Sequence, residues 1–571
     1  MTPAQLASVL LVALCMHLPA GAADAGSCDP ILNACSAAGF IEGAAKSGKG
    51  IIVDCLSPVL SGAQKIDGLP KFDAKTIAEC NASRAASLAG EGPTPAAAKA
   101  PEAPLALPNG APLPPNIVLV LVDDFSMNLM TGDQKILTRS MPNLARMIKD
   151  GANFSHYFVT DSLCCPSRTS IFTGLLPHNS QIYSNVPPDG GYKGFMAHGD
   201  DGKTFALTLH AAGYQTAMMG KYLNGYEPKV HGIPQGWSEW AVTGNGYPNF
   251  NYVLNHNGML IRSPLHLTDE LSSLAQDFLR QAAAGPFFLE VATFSPHAPF
   301  VPPARYAKAF AGLAYPKTPA YEARPDAAAP DWLAAMAPIT AKESDVMVKH
   351  FRNRVRSDKG VDDMIGALRQ TLADLGVAYR TYVIFTSDNG FHMGEYSLHE
   401  GKMTPFDTDI HVPLVIIGPG IAAGKTINAV TLNIDFYPTF ADWAGAPANP
   451  NVDGHSFAAL LKGKSAPWRK IALVEHRQVD LTIPDDPDLP APGSGNPPDY
   501  RALRLPGALY VEYLNQSNVI GYYDLTRDPY ELHNIAAQLT PARKAALHAA
   551  MLANSSCSGQ SQCWAAQSLT P

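Results

Sequence analysis

The sequence lacks the features that mark nucleic-acid-binding and membrane-spanning proteins. Its 42 Lys and Arg residues face 50 Asp and Glu residues, which gives a net charge of −8, and no long basic run occurs. Proteins that follow a phosphate backbone concentrate positive charge, so we expect no nucleic acid partner. Beyond the N-terminal segment no apolar run approaches the ~18 residues of a membrane span. We therefore expect no membrane span in the mature chain.

The N-terminus has no Lys or Arg ahead of its apolar core but otherwise matches a secretory signal. Leu6–Leu14 is almost wholly apolar, and Ala20–Ala22 fits a small-x-small cleavage site. We assign residues 1–23 to a signal peptide and expect a secreted or periplasmic protein.

Cysteine usage agrees with an oxidising compartment. Of nine cysteines, Cys15 would leave with the signal, and six others cluster near the two ends of the chain. The four near the start allow three disulfide pairings, which the sequence leaves open. The pair near the end closes a short loop, whereas Cys164 and Cys165 lie apart from both clusters and are expected to form no disulfide. The six expected disulfide cysteines are Cys28, Cys35, Cys55, Cys80, Cys557 and Cys563.

Composition divides the rest of the chain into four segments. Residues 24–82 form a small disulfide-bearing module, and residues 83–115 form a linker rich in Ala and Pro. The main domain spans residues 116–470. A C-terminal subdomain follows over residues 471–571.

Alternating strand and helix patterns in the main domain predict an α/β fold. Buried strands are indicated by the aliphatic runs Ile117–Val122, Gln215–Met219, Phe287–Ala292 and Tyr382–Phe385. Helices are indicated over Met141–Gly151, Phe205–Ala212 and Val361–Leu375. Near the end, Ala508–Leu514 and Ile520–Leu525 read as a hairpin of a smaller antiparallel sheet, and Pro541–Leu552 reads as a terminal helix.

Two strand ends carry oxygen ligands. Asp123 and Asp124 follow the first strand, and Asp388 and Asn389 follow a later one. Ligands of open α/β sheets collect at the carboxyl ends of strands, where adjacent carboxylates repel unless a cation joins them. Each pair alone fits a turn equally well. Together they predict a site for a hard cation such as Ca²⁺ or Mg²⁺.

The most specific motif lies between these strand ends, where residues 164–174 read CCPSRTSIFTG. A thiol with an Arg four residues on is a reactive arrangement, although a structural Cys pair in a tight turn is the alternative. The pattern Cys-x-Pro-Ser-Arg followed by Thr-Gly resembles the signature of type I sulfatases. The resemblance implies that a formylglycine-generating enzyme oxidises Cys164 to formylglycine (3-oxoalanine), the catalytic aldehyde.

The resemblance extends over most of the main domain. It includes Gly220-Lys221, Ser295–His297, Lys402, Val412–Leu414 and Tyr523–Leu525. It implies the fold of the alkaline phosphatase superfamily, a large mixed, mainly parallel sheet sandwiched by helices, with a smaller C-terminal antiparallel sheet. It also implies one divalent cation, calcium before magnesium. The implied ligands are Asp123, Asp124, Asp388, Asn389 and the modified Cys164.

The resemblance further implies a role for each remaining site residue. A hydroxyl of hydrated formylglycine attacks sulfur, and His297 protonates the leaving alcohol. Arg168 and Lys221 hold the hydrate, and Lys402 grips sulfate oxygens. Many sulfatases have a His shortly after the Lys of the Gly-Lys motif, where this chain has Leu223-Asn224. The alternatives for the base that regenerates the aldehyde are His178, His392 or another group particular to a subgroup of the family.

Four further motifs resemble those of N-acetylglucosamine-6-sulfatases and extracellular heparan sulfatases, namely Leu163–Arg168, Pro177–Asn179, Gly220–Asn224 and Asp388–Gly394. We therefore predict a hydrolase of sulfate esters on a sulfated sugar, such as 6-sulfated N-acetylglucosamine or a glycosaminoglycan terminus, or on an aryl sulfate. The absence of a Lys/Arg-rich insertion favours a small or terminal substrate. Two alternatives stay open: a formylglycine-dependent phosphonate or phosphodiester hydrolase, and an inactive carbohydrate-binding protein with unmodified Cys164.

Overall fold

The computed structural model describes residues 28–38, 55, 59, 69–80, 113–127, 134–463, 467–482, 489–514 and 520–571. The signal peptide and all but the last residues of the linker lie outside the described residues. Disulfides join Cys28 to Cys80 and Cys35 to Cys55, which selects one of the three pairings, and a third joins Cys557 to Cys563. Cys164 and Cys165 take no part in a disulfide, as predicted.

A ten-stranded mixed sheet forms the centre of the main domain. Its order is β11-β2-β10-β9-β1-β8-β4-β5-β6-β7. The five strands from β9 to β5 run parallel, whereas β10 and the β6–β7 edge are antiparallel to their neighbours. Two further strands, β3 and β12, pair with each other in a small parallel sheet of their own. The strands of the two sheets are β1 Asn116–Val122, β2 Ala152–Phe154, β3 Tyr157–Phe158, β4 Gln215–Lys221, β5 Glu239–Thr243, β6 Leu254–His256, β7 Met259–Ile261, β8 Phe287–Ala292, β9 Thr381–Ser387, β10 Leu414–Ile417, β11 Lys425–Ile427 and β12 Thr431–Leu432.

Helices cover both faces of this sheet. In β1, Ile117, Leu119 and Leu121 join the core on one face, and the valines between them join the core on the other. A strand buried on both sides therefore reads as a continuous aliphatic run. The main helices are α1 Gln134–Ser140, α2 Pro142–Asp150, α3 Cys164–Thr173, α4 Gly191–Ala197, α5 Phe205–Ala211, α6 Leu267–Ala282, α7 Ala341–Asp374, α8 Phe436–Ala444, α9 Pro541–Ser555 and α10 Gln560–Gln567.

A separate antiparallel sheet lies towards the C-terminus, in the order β13-β14-β15-β16. Its side chains join the same core as α3, α5 and α8, so the small sheet packs onto the main domain. Its strands are β13 Ala472–His476, β14 Tyr500–Leu505, β15 Ala508–Tyr513 and β16 Ile520–Asp524. The mixed sheet, its two helical layers and this second sheet confirm the predicted fold class.

One helix is much longer than its sequence pattern predicts. The apolar stripe starts at Val361, yet α7 already begins after Thr340, whose hydroxyl and the Glu343 carboxylate form a reciprocal capping box. The first half of α7 carries its own buried apolar residues, Met347, Phe351 and Val355, at helical spacing, and the cap marks its start. Within the described part of the chain, no helix has both the length and the apolar character needed to cross a bilayer.

Candidate active site

The first strand end supplies two carboxylates. Asp123 and Asp124 follow β1 directly, and both side chains are buried. Asp123 Oδ2 accepts from Lys221 Nζ at 2.5 Å, and its Oδ1 lies 3.4 Å from Cys164 Sγ. Asp124 has φ +65°, a left-handed backbone conformation that is rare outside glycine. The two adjacent side chains therefore reach the same buried space.

The end of the adjacent strand β9 faces the same space. The Asp388 carboxylate accepts from the backbone N–H of Asp124 at 3.3 Å and from Arg168 Nε at 2.8 Å. Asn389 Nδ2 donates to Asp124 Oδ1 at 2.6 Å. Because β1 and β9 are parallel neighbours, their carboxyl ends meet, and the predicted ligand pairs come together.

Cys164 is the first residue of α3 and has no solvent exposure. The positive end of the helix dipole lies at this residue and favours negative charge there. The backbone N–H of Cys165 donates to Asn185 Oδ1 at 2.9 Å, which satisfies one of the helix's first donors. Gly174, at φ +70°, ends the helix where a Cβ would press on Tyr437 and Val452.

Arg168 lies one helical turn after Cys164 and is fully buried. Besides its ion pair with Asp388, it donates from Nη1 to the Lys221 carbonyl oxygen at 2.7 Å. Burial alone would lower the pKa of Arg168, but Asp388 and Asp123 outweigh burial and raise it. The guanidinium is therefore a fixed positive charge that links α3 to the ends of β4 and β9.

Lys221 ends β4 and joins the same cluster. Burial would lower its pKa, yet Asp123 raises it well above the ordinary value. Its ammonium also lies over the Tyr247 ring, 5.0 Å from the centroid. The Tyr247 ring lies 4.5 Å from that of His297. Tyr247 comes from an irregular loop, which explains why the sequence did not point to it.

The last two predicted side chains come from loops. His297 Nε2 lies 3.5 Å from Asp124 Oδ2, and the His297 Nδ1–H donates to the Ala298 carbonyl at 2.8 Å. Lys402 Nζ lies 2.9 Å from Cys164 Sγ and 2.9 Å from Asp124 Oδ1. The structure thus gathers the predicted site residues other than the two alternative bases, His178 and His392.

The cluster is compatible with a metal site. One carboxylate oxygen each of Asp123 and Asp124, the Cys164 sulfur and a ring nitrogen of His297 all lie within 4.8 Å of one another. Among the described residues, Asp124 Oδ2 and Asn389 Oδ1 are buried without a hydrogen-bond partner. Buried acceptors without donors are costly, and a cation that prefers oxygen ligands would satisfy both.

The ionisation of the buried carboxyl groups depends on the positively charged side chains beside them. Burial would raise the pKa of Asp123, but Lys221 and His297 outweigh burial and lower it. Burial and the neighbouring Asp123 raise the pKa of Asp388. Extra positive charge would therefore stabilise the site with all carboxylates ionised.

The two alternative bases lie in other networks. His178 Nδ1 lies 2.6 Å from Glu475 Oε2 of β13, and its Nε2 lies 2.8 Å from the Cys557 carbonyl oxygen. His392 is enclosed between Asp409 and the Ser494 carbonyl oxygen. Both ring nitrogens of each histidine are therefore engaged away from Cys164. We assign His178 to the junction with the small sheet rather than to the catalytic cluster.

Comparison with known proteins agrees with this geometry. A family model described as Sulfatase matches residues 115–446. Human N-acetylglucosamine-6-sulfatase is 33% identical over 476 residues, which cover 78% of this chain and 85% of the relative.

Two solved structures share the fold at lower identity. A complex of a protein with its substrate D-glucosamine-2-N,6-O-disulfate is 23% identical, with a TM-score of 0.63, over 76% of this chain and 96% of the other. The phosphonate monoester hydrolase of Agrobacterium radiobacter is 22% identical, with a TM-score of 0.58, over 77% and 95%. Because the family model covers more than half of the chain, and a relative is one-third identical over most of its own length, this chain belongs to the sulfatase family and is a sulfuric ester hydrolase.

Proposed function

We propose that this sulfatase hydrolyses the sulfate ester of a sulfated amino sugar, such as 6-sulfated N-acetylglucosamine. The nucleophile would be formylglycine made from Cys164, with a bound divalent cation, calcium before magnesium. The position of Cys164 carries the proposal. Its side chain lies at the helix N-terminus between Lys402 and Asp123, inside a cluster of carboxylates and cations.

Asp123, Asp124, Asp388, Asn389 and the modified residue 164 would hold the cation. A bound divalent cation would polarise a sulfate oxygen and lower the pKa of a hydroxyl that it contacts. Formylglycine at position 164 would supply that hydroxyl as the nucleophile. The unsatisfied oxygens of Asp124 and Asn389 support this assignment.

The chain's own cations would stabilise the charge that develops on sulfate. Lys402 Nζ lies against Cys164 and is placed to contact a sulfate oxygen held there. Arg168 and Lys221, fixed by Asp388 and Asp123, keep positive charge behind the nucleophile. Preorganised charges in a buried site need little reorganisation during the reaction.

His297 is the proposed general acid. Its Nδ1–H donates to a backbone carbonyl, which turns Nε2 towards the cluster. A proton on Nε2 would pass to the oxygen of the leaving sugar alcohol, which is a poor leaving group when unprotonated. With His178 and His392 engaged elsewhere, the base that regenerates the aldehyde belongs to the cluster itself.

The substrate proposal rests on the relatives. The human relative is named for N-acetylglucosamine-6-sulfate hydrolysis, and a structural neighbour was solved with a 6-O-sulfated glucosamine. The three disulfides support a secreted or periplasmic location. We further propose residues 116–470 as the catalytic domain and residues 471–571 as the C-terminal subdomain.

Mass spectrometry of the peptide across Cys164 tests the proposal. The protein would be produced with a formylglycine-generating enzyme, and conversion of thiol to aldehyde lowers the mass by about 18 Da. Sulfate release from 6-sulfated N-acetylglucosamine should accompany it, and C164A should abolish release. C165A is the matched control, because its thiol lies in the core beside the site, and it should remain active. A plain thiol with no sulfate release would favour an inactive carbohydrate-binding protein.

A phosphonate or phosphodiester hydrolase is the second candidate, since one structural neighbour is a phosphonate monoester hydrolase. Paired aryl substrates that differ only in the sulfate or phosphonate group separate the two. A larger kcat/KM for the phosphonate would replace the proposed function.

A further inference from the structure

The backbone of Asp124 holds an unfavourable conformation. Its φ of +65° is left-handed, a region in which a residue with a Cβ is strained unless its surroundings hold it there. In this conformation Asp124 Oδ1 meets Asn389 Nδ2 at 2.6 Å and Lys402 Nζ at 2.9 Å. An ordinary φ would turn the side chain away from both.

A buried arginine on a distant helix contacts this backbone. Arg354 of α7 has only 2% of its surface exposed, and its Nη2 donates to the Asp124 carbonyl oxygen. The carbonyl of a residue that turns into the left-handed region loses its usual strand partner. The guanidinium therefore replaces a backbone donor that the turn has removed.

Aromatic rings hold Arg354 in place. Its guanidinium lies over Phe391, 4.4 Å from the ring centroid, and over Phe300 at 5.7 Å. Phe391 follows the ligands at the end of β9, and Phe300 follows the loop of His297. Arg354 thus contacts three loops of the site without entering it.

Burial of this charge is poorly compensated elsewhere on α7. Asp358, one turn further along, is buried, and burial raises its pKa to about 7, so it is at most partly ionised at neutral pH. Among the described residues, Arg354 Nη1 has no hydrogen-bond partner. Retaining a buried arginine without a strong ion pair is costly, which indicates a purpose other than stability.

We propose that Arg354 is a positioning residue that fixes the Asp124 carbonyl, keeps the left-handed turn and so directs the Asp124 carboxylate into the cation site. The inference rests on the proposed function, in which Asp124 is a cation ligand. Arg354 acts from the opposite side of the Asp124 backbone and touches neither substrate nor cation.

Two substitutions remove this contact. R354M removes both the charge and the donors. R354Q keeps one polar head on a stem too short to reach the carbonyl. R356M is the matched control, because Arg356 lies on the same helix and also donates to a backbone carbonyl, that of Ala309 at 2.6 Å.

The first measurement is the crystal structure of each protein without added metal. Asp124 should leave the left-handed region in R354M and R354Q and keep it in R356M. The second is calcium affinity by titration calorimetry, which should fall about 10–100-fold in R354M and R354Q, as for other groups that orient metal ligands. R356M should bind calcium as the wild type does.

The outcomes distinguish a failure of the positioning role of Arg354 from a failure of the proposed function. If R354M keeps the left-handed Asp124 and wild-type calcium affinity, the positioning role is wrong while the proposed function stands. If wild-type protein binds no divalent cation, the proposed cation is wrong, and the Asp124 backbone in the variants still decides whether Arg354 holds the turn. If R354M does not fold, R354Q decides by the same two measurements.

Discussion

The Nζ atom of Lys402 lies 2.9 Å from the Sγ atom of Cys164. The two residues come from different elements, a loop after β9 and the start of α3. Lys402 also contacts Asp124, so its ammonium joins the nucleophile position to the proposed cation site.

Replacement of Lys402 should therefore impair turnover. We expect K402M to lower kcat/KM for the sugar sulfate about 10²–10³-fold, the usual cost of losing one charge-stabilising donor. K203M is the control, because Lys203 forms a half-exposed pair with Asp200. Steady-state kinetics on protein with verified formylglycine would measure it. If kcat/KM of K402M stays within twofold of the wild-type value, Lys402 does not stabilise the sulfate group during turnover.

Leaving-group dependence should identify the general acid. We expect H297Q to lose about 10²–10⁴-fold on a sugar sulfate, whose alkoxide needs a proton. On 4-nitrophenyl sulfate the loss should be far smaller, because nitrophenolate leaves unprotonated. H548Q, at a half-exposed pair with Glu512, is the control. Equal losses on both substrates would point to a binding role for His297.

Metal removal should be reversible and should lower stability. Chelation should abolish sulfate release and added calcium should restore it, with a stability gain of about 3 kcal/mol at a 100-fold excess over Kd. N389A should shift the calcium concentration for half reactivation upwards about tenfold or more. N449A, whose amide contacts Tyr437, should not. Full activity of exhaustively chelated protein would argue against a catalytic cation.

Glu290 should make stability depend on pH. It lies fully buried on β8, where burial raises its pKa from the ordinary 4.5 to about 8. Between these values the folded chain binds a proton that the unfolded chain releases, so the free energy of unfolding falls as pH rises. E290Q removes this titration. Its free energy of unfolding, relative to that of the wild type, should therefore rise by about 3 kcal/mol between pH 4.5 and 7. Denaturant unfolding at several pH values would measure the gain, and a constant difference would contradict the assignment.

His178 should affect stability rather than catalysis. Burial would lower its pKa, but the Glu475 carboxylate raises it above the ordinary value. The pair's contribution is thus complete below the ordinary pKa and is lost as pH rises through the folded-state pKa. H178Q should destabilise the chain by about 2 kcal/mol at low pH and by less at high pH, with kcat unchanged. A lowered kcat with normal stability would return His178 to the active site.

The parallel sheet made much of the site predictable. Asp123 and Asp388 follow aliphatic runs that can only be buried strands, and the ends of parallel neighbours must meet. Asn389 and Asp124 follow from the same argument. The family resemblance was needed for Lys221, His297 and Lys402, because nothing in the local sequence around a single Lys or His says which residues it will contact.

Other features had no signal in the sequence. Arg354 lies in a stretch rich in charged residues, and only the tertiary structure shows that its own side chain is buried beside Asp124. His178 is the opposite case. It belongs to a sequence motif that resembles the family's, yet its partners are Glu475 and the Cys557 carbonyl, which lie about 300 residues or more further along the chain.

The burial of Cys164 has a consequence for the timing of biosynthesis. Lys402, whose ammonium contacts the thiol, follows it by 238 residues in the chain. At roughly 5–20 residues per second, a ribosome needs about 10–50 s to make that stretch. Until the residues around it have been made and have folded, the thiol would be open to the modifying enzyme proposed above, whereas in the folded chain it has no solvent exposure. A chain that passes this interval unmodified would have to unfold before it could be matured.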